Sequence, residues 1–370
     1  MRNLIGVMTA ATVLAGCTAY SSLDALRPTA ALLAPAPTPS PKDDPVPLGP
    51  PQVSTYAGST PGDDNGTLAT ATFFAPHALV RNATGDIFVS DPTGRIRRID
   101  TEGNVSTFVG KGDGLNTPGI GTGASIYAPI GLALDSHGNL FAVSNSGNRI
   151  LKITPSAVQS LFAGIGLPGA TDGSGDEAEF RSPAGLCIDA QDNLYVADSK
   201  NHRIRKVTPS GHVSTVAGST EGYSDAKGSA AQFKAPYGLT IDTSGNLYVA
   251  DTGNKRIRKI TPDGTVSTVA GTGASGSEDA PASSATFEEP LSLACAPDGS
   301  LFVSDGSRLR KIQNGQVTTV AGSDAGFEDG TAAQAKFEKL YGLLFLADDS
   351  LLVADWRNHR IRRLDFPTAK

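Results

Sequence analysis

Three cysteines, two methionines, one tryptophan and five histidines are all that 370 residues hold of these types. Three cysteines cannot build a disulfide-stapled scaffold or a structural zinc cluster. Basic residues are outnumbered 31 to 37, leaving a net charge of −6, which argues against a dedicated nucleic-acid binder. Long apolar runs are also missing: the longest, Leu4 to Leu14, is too short to cross a bilayer as a helix. The 39% of hydrophobic residues nonetheless suffices for a sizeable core and excludes wholesale disorder. With 42 Gly and 24 Pro, the chain reads as many short strands joined by turns and not as a helical bundle.

The N-terminal residues form a segment of their own. Arg2 precedes the apolar run Leu4 to Leu14, the layout of an export signal. The run ends in Leu14-Ala15-Gly16-Cys17, which resembles the lipobox of bacterial lipoproteins, in which the cysteine becomes an acylated N-terminus. The resemblance implies that residues 1–17 are a signal peptide and that Cys17 carries the lipid, since several acyl chains on one residue give stable anchoring. It places the protein in the cell envelope, outside the cytoplasm. Thr18 stands where an inner-membrane retention signal would place Asp, so a cell with two membranes is expected to carry the protein in the outer one. Residues 18–52 read as a tether, with nine prolines from Pro28 to Pro51 and no apolar periodicity. Such a segment favours extended polyproline II, at about 3.1 Å per residue.

Everything after residue 52 repeats. A string of the type VSTVAG ends at Gly58, Gly110, Gly164, Gly218, Gly271 and Gly322, in steps of 52, 54, 54, 53 and 51 residues. A second signature, GLCIDAQDNLYVADSKNHRIRKVTPS from Gly185 to Ser210, has counterparts starting at Ala78, Gly131, Gly238, Ser292 and Gly342. Each unit reads as four strands, a to d, separated by Gly, Pro, Asn and Asp turns, the pattern of a propeller blade. Six a–b–c signatures and six d strings are present, but the first d string precedes the first a strand and the last unit ends after strand c. Val53 to Ala57 is therefore expected to complete the sixth blade, leaving no free edge in the ring. The expectation is an all-β, six-bladed β-propeller of four-stranded antiparallel blades over residues 53–370.

Asn201-His202-Arg203-Ile204, Asn358-His359-Arg360-Ile361 and the degenerate Gly147-Asn148-Arg149-Ile150 resemble the NHL repeat, whose members form six-bladed propellers. The resemblance implies fold more than function, because relatives include protein and RNA binders, receptor ectodomains and a few enzymes.

In such a blade the b–c turns and the d-to-a connections share one face, the top. Each connection carries a turn residue (Asn65, Pro118, Asp172, Asp225, Asp279, Asp329), then Ala, then an apolar anchor (Phe73, Ile126, Phe180, Phe233, Phe287, Phe337). The Asp residues are expected to cap short helical turns. A calcium loop at Asp172 to Glu177 is the weaker reading, because Glu177 stands where such a loop needs Gly. Strand b ends in Asp91, Asn145, Asp198, Asp251, Asp305 and Asp355, expected to accept turn N–H bonds, in part to pair with the first Arg of strand c, and to give the top face a negative field. Cys187 and Cys295, in strands of non-adjacent blades, are expected to be buried free thiols.

Candidate binding residues are those that vary where the repeat should be uniform. The channel mouth reads His77, Ile130, Ala184, Tyr237, Leu291 and Tyr341, and Trp356 lies in the sixth b–c turn. His77, Tyr237, Tyr341 and Trp356 are the recognition candidates, because aromatics offer large contact area with a polar tip. No catalytic residue and no metal ligand is assigned. Of the histidines only His77 is at the mouth, so a three-His zinc centre cannot form. The leading reading is a lipid-anchored, extracytoplasmic binding module, expected to be monomeric, with a protein, peptide or small-molecule partner and no nucleic acid. No cofactor is predicted. The alternative is a metal-dependent lyase or lactonase with carboxylates on the axis, for which Glu288 and Glu289 are the nearest candidates.

Overall fold

A computed structural model describes residues 49–367. Cys17, the signal segment and nearly all of the tether lie outside the described residues. Six antiparallel sheets surround one axis as the blades of a propeller. Blade 3 shows the plan: strand a is Pro183–Ile188, b is Leu194–Asp198, c is Arg203–Val207 and d is Val213–Gly218, hydrogen-bonded in that order from axis to rim. Strand b is apolar because neighbouring blades cover both of its faces. Leu194, Val196 and Ala197 are fully buried.

The ring closes as the repeat count requires. In blade 6, strands Leu340–Phe345, Leu351–Asp355 and Arg360–Asp365 are followed at the rim by Gln52–Ala57, from the other end of the described chain. Val53 faces Leu364, Ser54 faces Arg363 and Thr55 faces Arg362. Gly218 and its counterparts end the d strings for a steric reason. Gly218 has φ of +93°, and a Cβ there would collide with the carbonyl oxygen of His202 in the b–c turn.

Two features differ from the sequence expectation. The d-to-a connections do more than cross the top: each descends the rim of the next blade. Gly66–Thr67, Gly119–Ile120, Ala280–Pro281 and Gly330–Thr331 add a fifth, two-residue strand to blades 1, 2, 5 and 6, and single bridges, Gly173 to Val213 and Lys227 to Thr265, stand in the same place in blades 3 and 4. The Asp residues of these connections also cap no helix. The 3-10 turns at Gly121–Gly123 and Gly228–Ala230 have no side-chain cap.

Those Asp side chains hook each connection to its blade instead. Asp172 accepts hydrogen bonds from Arg205 Nε (3.0 Å) and from the Thr215 N–H (3.0 Å), joining strands c and d. Arg205 also bonds Asp198 at 2.7 Å and lies 5.2 Å from the Phe180 ring centroid. Asp225 with Arg258 and Thr268 and Asp329 with Arg362 and Thr55 repeat the arrangement, and Asp279 with Thr319 and Arg310 does so through the terminal guanidinium nitrogen Nη2 alone. Thr55 belongs to the closing strand, so closure uses the same hook as every regular blade. The Arg that pairs with the end of strand b is thus the second of strand c, not the first.

Blade 2 departs at all four positions together. Leu151 replaces the Arg, Asn145 and Pro118 the two Asp residues, and Leu161 the Thr. Leu151 is buried, with Ile126 packed in the same cluster where the other blades place Phe.

Candidate functional site

Strand a of each blade lines the axial channel, a cavity of about 410 Å³. Its upper ring holds the residues that vary between blades. His77 (7% exposed), Ile130, Ala184, Leu291 and Tyr341 are buried and Tyr237 is half-buried. Lower down, Leu134, Ile188, Ile241 and Phe345 are half-buried and Arg81 is exposed, so the channel is closed at the top and open toward the bottom.

Three side chains form that closure. His77 of blade 1 and Tyr237 of blade 4 share a hydrogen bond of 3.2 Å across the axis, between Nε2 and the phenolic oxygen. Tyr341 of blade 6 packs on both, with ring centroids 3.8 Å from His77 and 5.8 Å from Tyr237. Burial pushes the His77 pKa down to about 3, helped by the nearby Lys339 charge, so the imidazole is neutral. Burial likewise raises both tyrosines.

Trp356 continues the cluster outward, its ring 5.6 Å from Tyr341. The four candidates named from the sequence thus meet in one place, with different surroundings. His77, Tyr237 and Tyr341 make a plug, while Trp356 stands at the surface end, flanked by Lys339 (5.9 Å) and Arg357 (5.7 Å) over its ring. Its Nε1 is buried and has no hydrogen-bond partner among the described residues.

Beside Trp356 lies a top-face cleft of about 340 Å³ at the junction of blades 6 and 1, walled by Phe74, Ala75, Glu338, Trp356, Arg357 and His359. Phe74 is 44% exposed, and its ring is 5.4 Å from that of His359. The Ala75 N–H donates to His359 Nδ1 at 3.1 Å, which fixes the ring and leaves its proton on Nε2. Phe74 was hidden in the sequence by its neighbour, the anchor Phe73. The residue after each anchor reads Phe74, Tyr127, Arg181, Lys234, Glu288 and Glu338, and aromatics occur there only in blades 1 and 2.

The expected negative field is largely cancelled. Asp198, Asp251, Asp305 and Asp355 are at most 1% exposed and each faces an equally buried Arg at 2.7–3.1 Å. Asp172 has its carboxylate engaged by Arg205 and Thr215, and Glu289 pairs with Lys339 at 3.0 Å. Among the described residues no three His, Cys, Asp or Glu side chains are grouped to hold a metal. Cys187 and Cys295 are free and half-buried, less enclosed than expected, and burial raises both thiols.

Against known proteins, the NHL repeat pattern matches residues 180–207 and 233–260. The chain is therefore a six-bladed β-propeller carrying NHL repeats. Teneurin-3 of Mus musculus is 28% identical over 227 residues, 53% of this chain and 8% of its own length. NHL repeat-containing protein 2 of Bos taurus is 35% identical over 153 residues, 37% of this chain and 21% of its own. The chain thus spans under a quarter of either relative. Among solved structures, an auxiliary nutrient binding protein from Bacteroides thetaiotaomicron aligns with a TM-score of 0.68 at 15% identity, over 86% of this chain and 77% of its own. That likeness is one of fold.

Proposed function

We propose that this protein is a lipid-anchored, extracytoplasmic recognition module that binds its partner on the top face of the propeller, at the cleft beside Trp356. One observation carries the reading: at the junction of blades 6 and 1 the repeat gives way to exposed or half-exposed aromatics around a cleft, where a purely structural corner needs none. Tyr341, His77 and Tyr237 supply a rigid floor. Trp356 and Phe74 supply contact area at little entropic cost, as aromatic anchors do. The Leu14 to Cys17 lipobox supports the anchor, and the Pro-rich stretch after it supports a spacer between membrane and propeller.

The test is a substitution scan against the partner captured from envelope extract. Trp356→Ala and Tyr341→Ala are expected to weaken binding at least about tenfold, roughly 1.4 kcal/mol. Ser210→Ala, in a bottom turn, is expected to leave it unchanged. A footprint on the bottom turns or the outer d strands overturns the assignment. For the anchor, Cys17→Ser is expected to release the protein into soluble fractions or leave it unprocessed, and unchanged acylation in that variant sinks the lipoprotein reading.

A further inference from the structure

The corner that forms the cleft is built a second time in the same molecule, and the comparison shows what is missing from it. At the junction of blades 3 and 4, His202 takes the place of His359: its Nδ1 accepts the Ala235 N–H at 3.1 Å, the same bond and distance as Ala75 to His359. There the other ring nitrogen, Nε2, faces the Glu221 carboxylate at 3.9 Å. Glu221 in turn pairs with Lys234 at 2.8 Å, so carboxylate, cation and imidazole complete one another.

At the blade 6–1 corner both partners are replaced. Pro61 stands where Glu221 stands, each bridged to the anchor Phe twelve residues on, and Phe74 stands where Lys234 stands. Among the described residues nothing bonds His359 Nε2. Trp356 and Arg357 occupy the positions of Ser199 and Lys200. The corner has thus kept the histidine and lost the carboxylate that faces its Nε2, has gained two aromatics in its walls, and holds Glu338 on the other side, beside Arg357. Arg357 meets Glu338 only at 3.5 Å and is largely exposed, so its guanidinium can turn to a second acceptor.

We propose that this cleft takes an apolar carboxylate, resting on the top-face reading above and naming its ligand class. The ligand's carboxylate accepts from His359 Nε2–H and Arg357, in the place that Glu221 fills beside His202. Its apolar group lies between Phe74 and Trp356. A free aromatic or branched acid and the C-terminus of a peptide ending in an apolar residue share this chemistry.

The chain's lone tryptophan makes the test direct, because all tryptophan fluorescence comes from Trp356 in the cleft wall. The full-length protein is titrated with N-acetyl-phenylalanine, its amide, phenylacetate, and the peptide Ala-Ala-Ala-Phe with free and amidated ends. A saturable change with the acids, at least tenfold weaker with the matching amides, is the expected result. Binding by the free peptide but not by the small acids assigns the source as a chain terminus; the reverse assigns a free acid. The paired variant Pro61→Glu/Phe74→Lys rebuilds the corner of blades 3 and 4, so it is expected to fold and to lose the response. Equal binding of acid and amide, no response to any probe, or an unaltered response in the paired variant overturns the inference. Because the partner scan is separate, loss of partner binding in Trp356→Ala with no acid preference here leaves the top-face reading standing and removes only the ligand class.

Discussion

Arg258 and Asp251 face each other across strands c and b of blade 4 at 2.7 Å, and neither has any solvent exposure. Burial pushes the Asp251 carboxyl up, while Asn254, the Lys234 N–H and Arg258 pull it down. The guanidinium also bonds Asp225, two backbone carbonyls of the connection and, through its face, the ring of Phe233. Removing one member of such a pair leaves a buried, unpaired charge, which costs about 3–5 kcal/mol. Arg258→Leu and Asp251→Asn are each expected to lose stability on that scale in urea denaturation. Blade 2 shows the apolar alternative, so Arg258→Leu/Asp251→Asn/Thr268→Leu is expected to lose clearly less than the sum of its parts. Additive losses would mean that the hook is not a unit.

Blade 1 holds an imperfect version of the same hook. Asn65 stands in the Asp position, and Arg97 Nε is buried without a partner among the described residues. Asn65→Asp is expected to give Arg97 a charged acceptor and to offer a second oxygen to the Thr107 N–H, as the Asp of the other hooks does, raising stability by about 1 kcal/mol. An unchanged or lower melting temperature would refute this.

Closure by the N-terminal strand gives a sharp boundary. Pro51 accepts a backbone bond from Ala332, and Gln52 to Ala57 completes blade 6. Deletion of residues 1–50 is expected to leave the melting temperature almost unchanged, whereas deletion of 1–58 removes a rim strand and its Thr55–Asp329 hook and is expected to destabilise the whole ring. Equal melting temperatures for the two truncations would rule out closure by this strand.

His77 makes stability depend on pH with a predictable sign. Its pKa in the fold is about 3, against about 6.5 in an unfolded chain. Between those values the unfolded state holds one proton more, so the contribution is complete above about pH 6.5 and is lost as pH falls, by about 1.4 kcal/mol per unit. His77→Phe is expected to flatten the stability profile between about pH 6 and 4 relative to the parent. Parallel profiles would show that the imidazole is not held neutral.

The ring, its six blades and its closing strand were legible because backbone periodicity and the order of the strings determine them. The convergence of His77, Tyr341 and Trp356 was legible too, since variation at a repeated position marks release from the shared structural task. That His77 and Tyr237 would meet across the axis was not, because 160 residues separate them and only ring geometry brings blades 1 and 4 face to face. The hooks were misread for a related reason. Spacing shows Asp172 near a turn, but not the reach of an Arg side chain from strand c past Asp198 into the connection that arrives from the preceding blade. Phe74 escaped notice because its exposure is decided by blade 6, far away in the chain.

The bond between His77 and Tyr237 has a mechanical consequence. A ring of six separate sheets is softest toward flattening into an ellipse, since each blade needs only to pivot slightly on its neighbours. A strut joining opposite blades fixes one diameter against stretching, and Tyr341 wedged beside it resists compression along the same line. The propeller is thereby stiffened at its upper rim, beneath the cleft, while its lower rim keeps the compliance of an unbraced hoop.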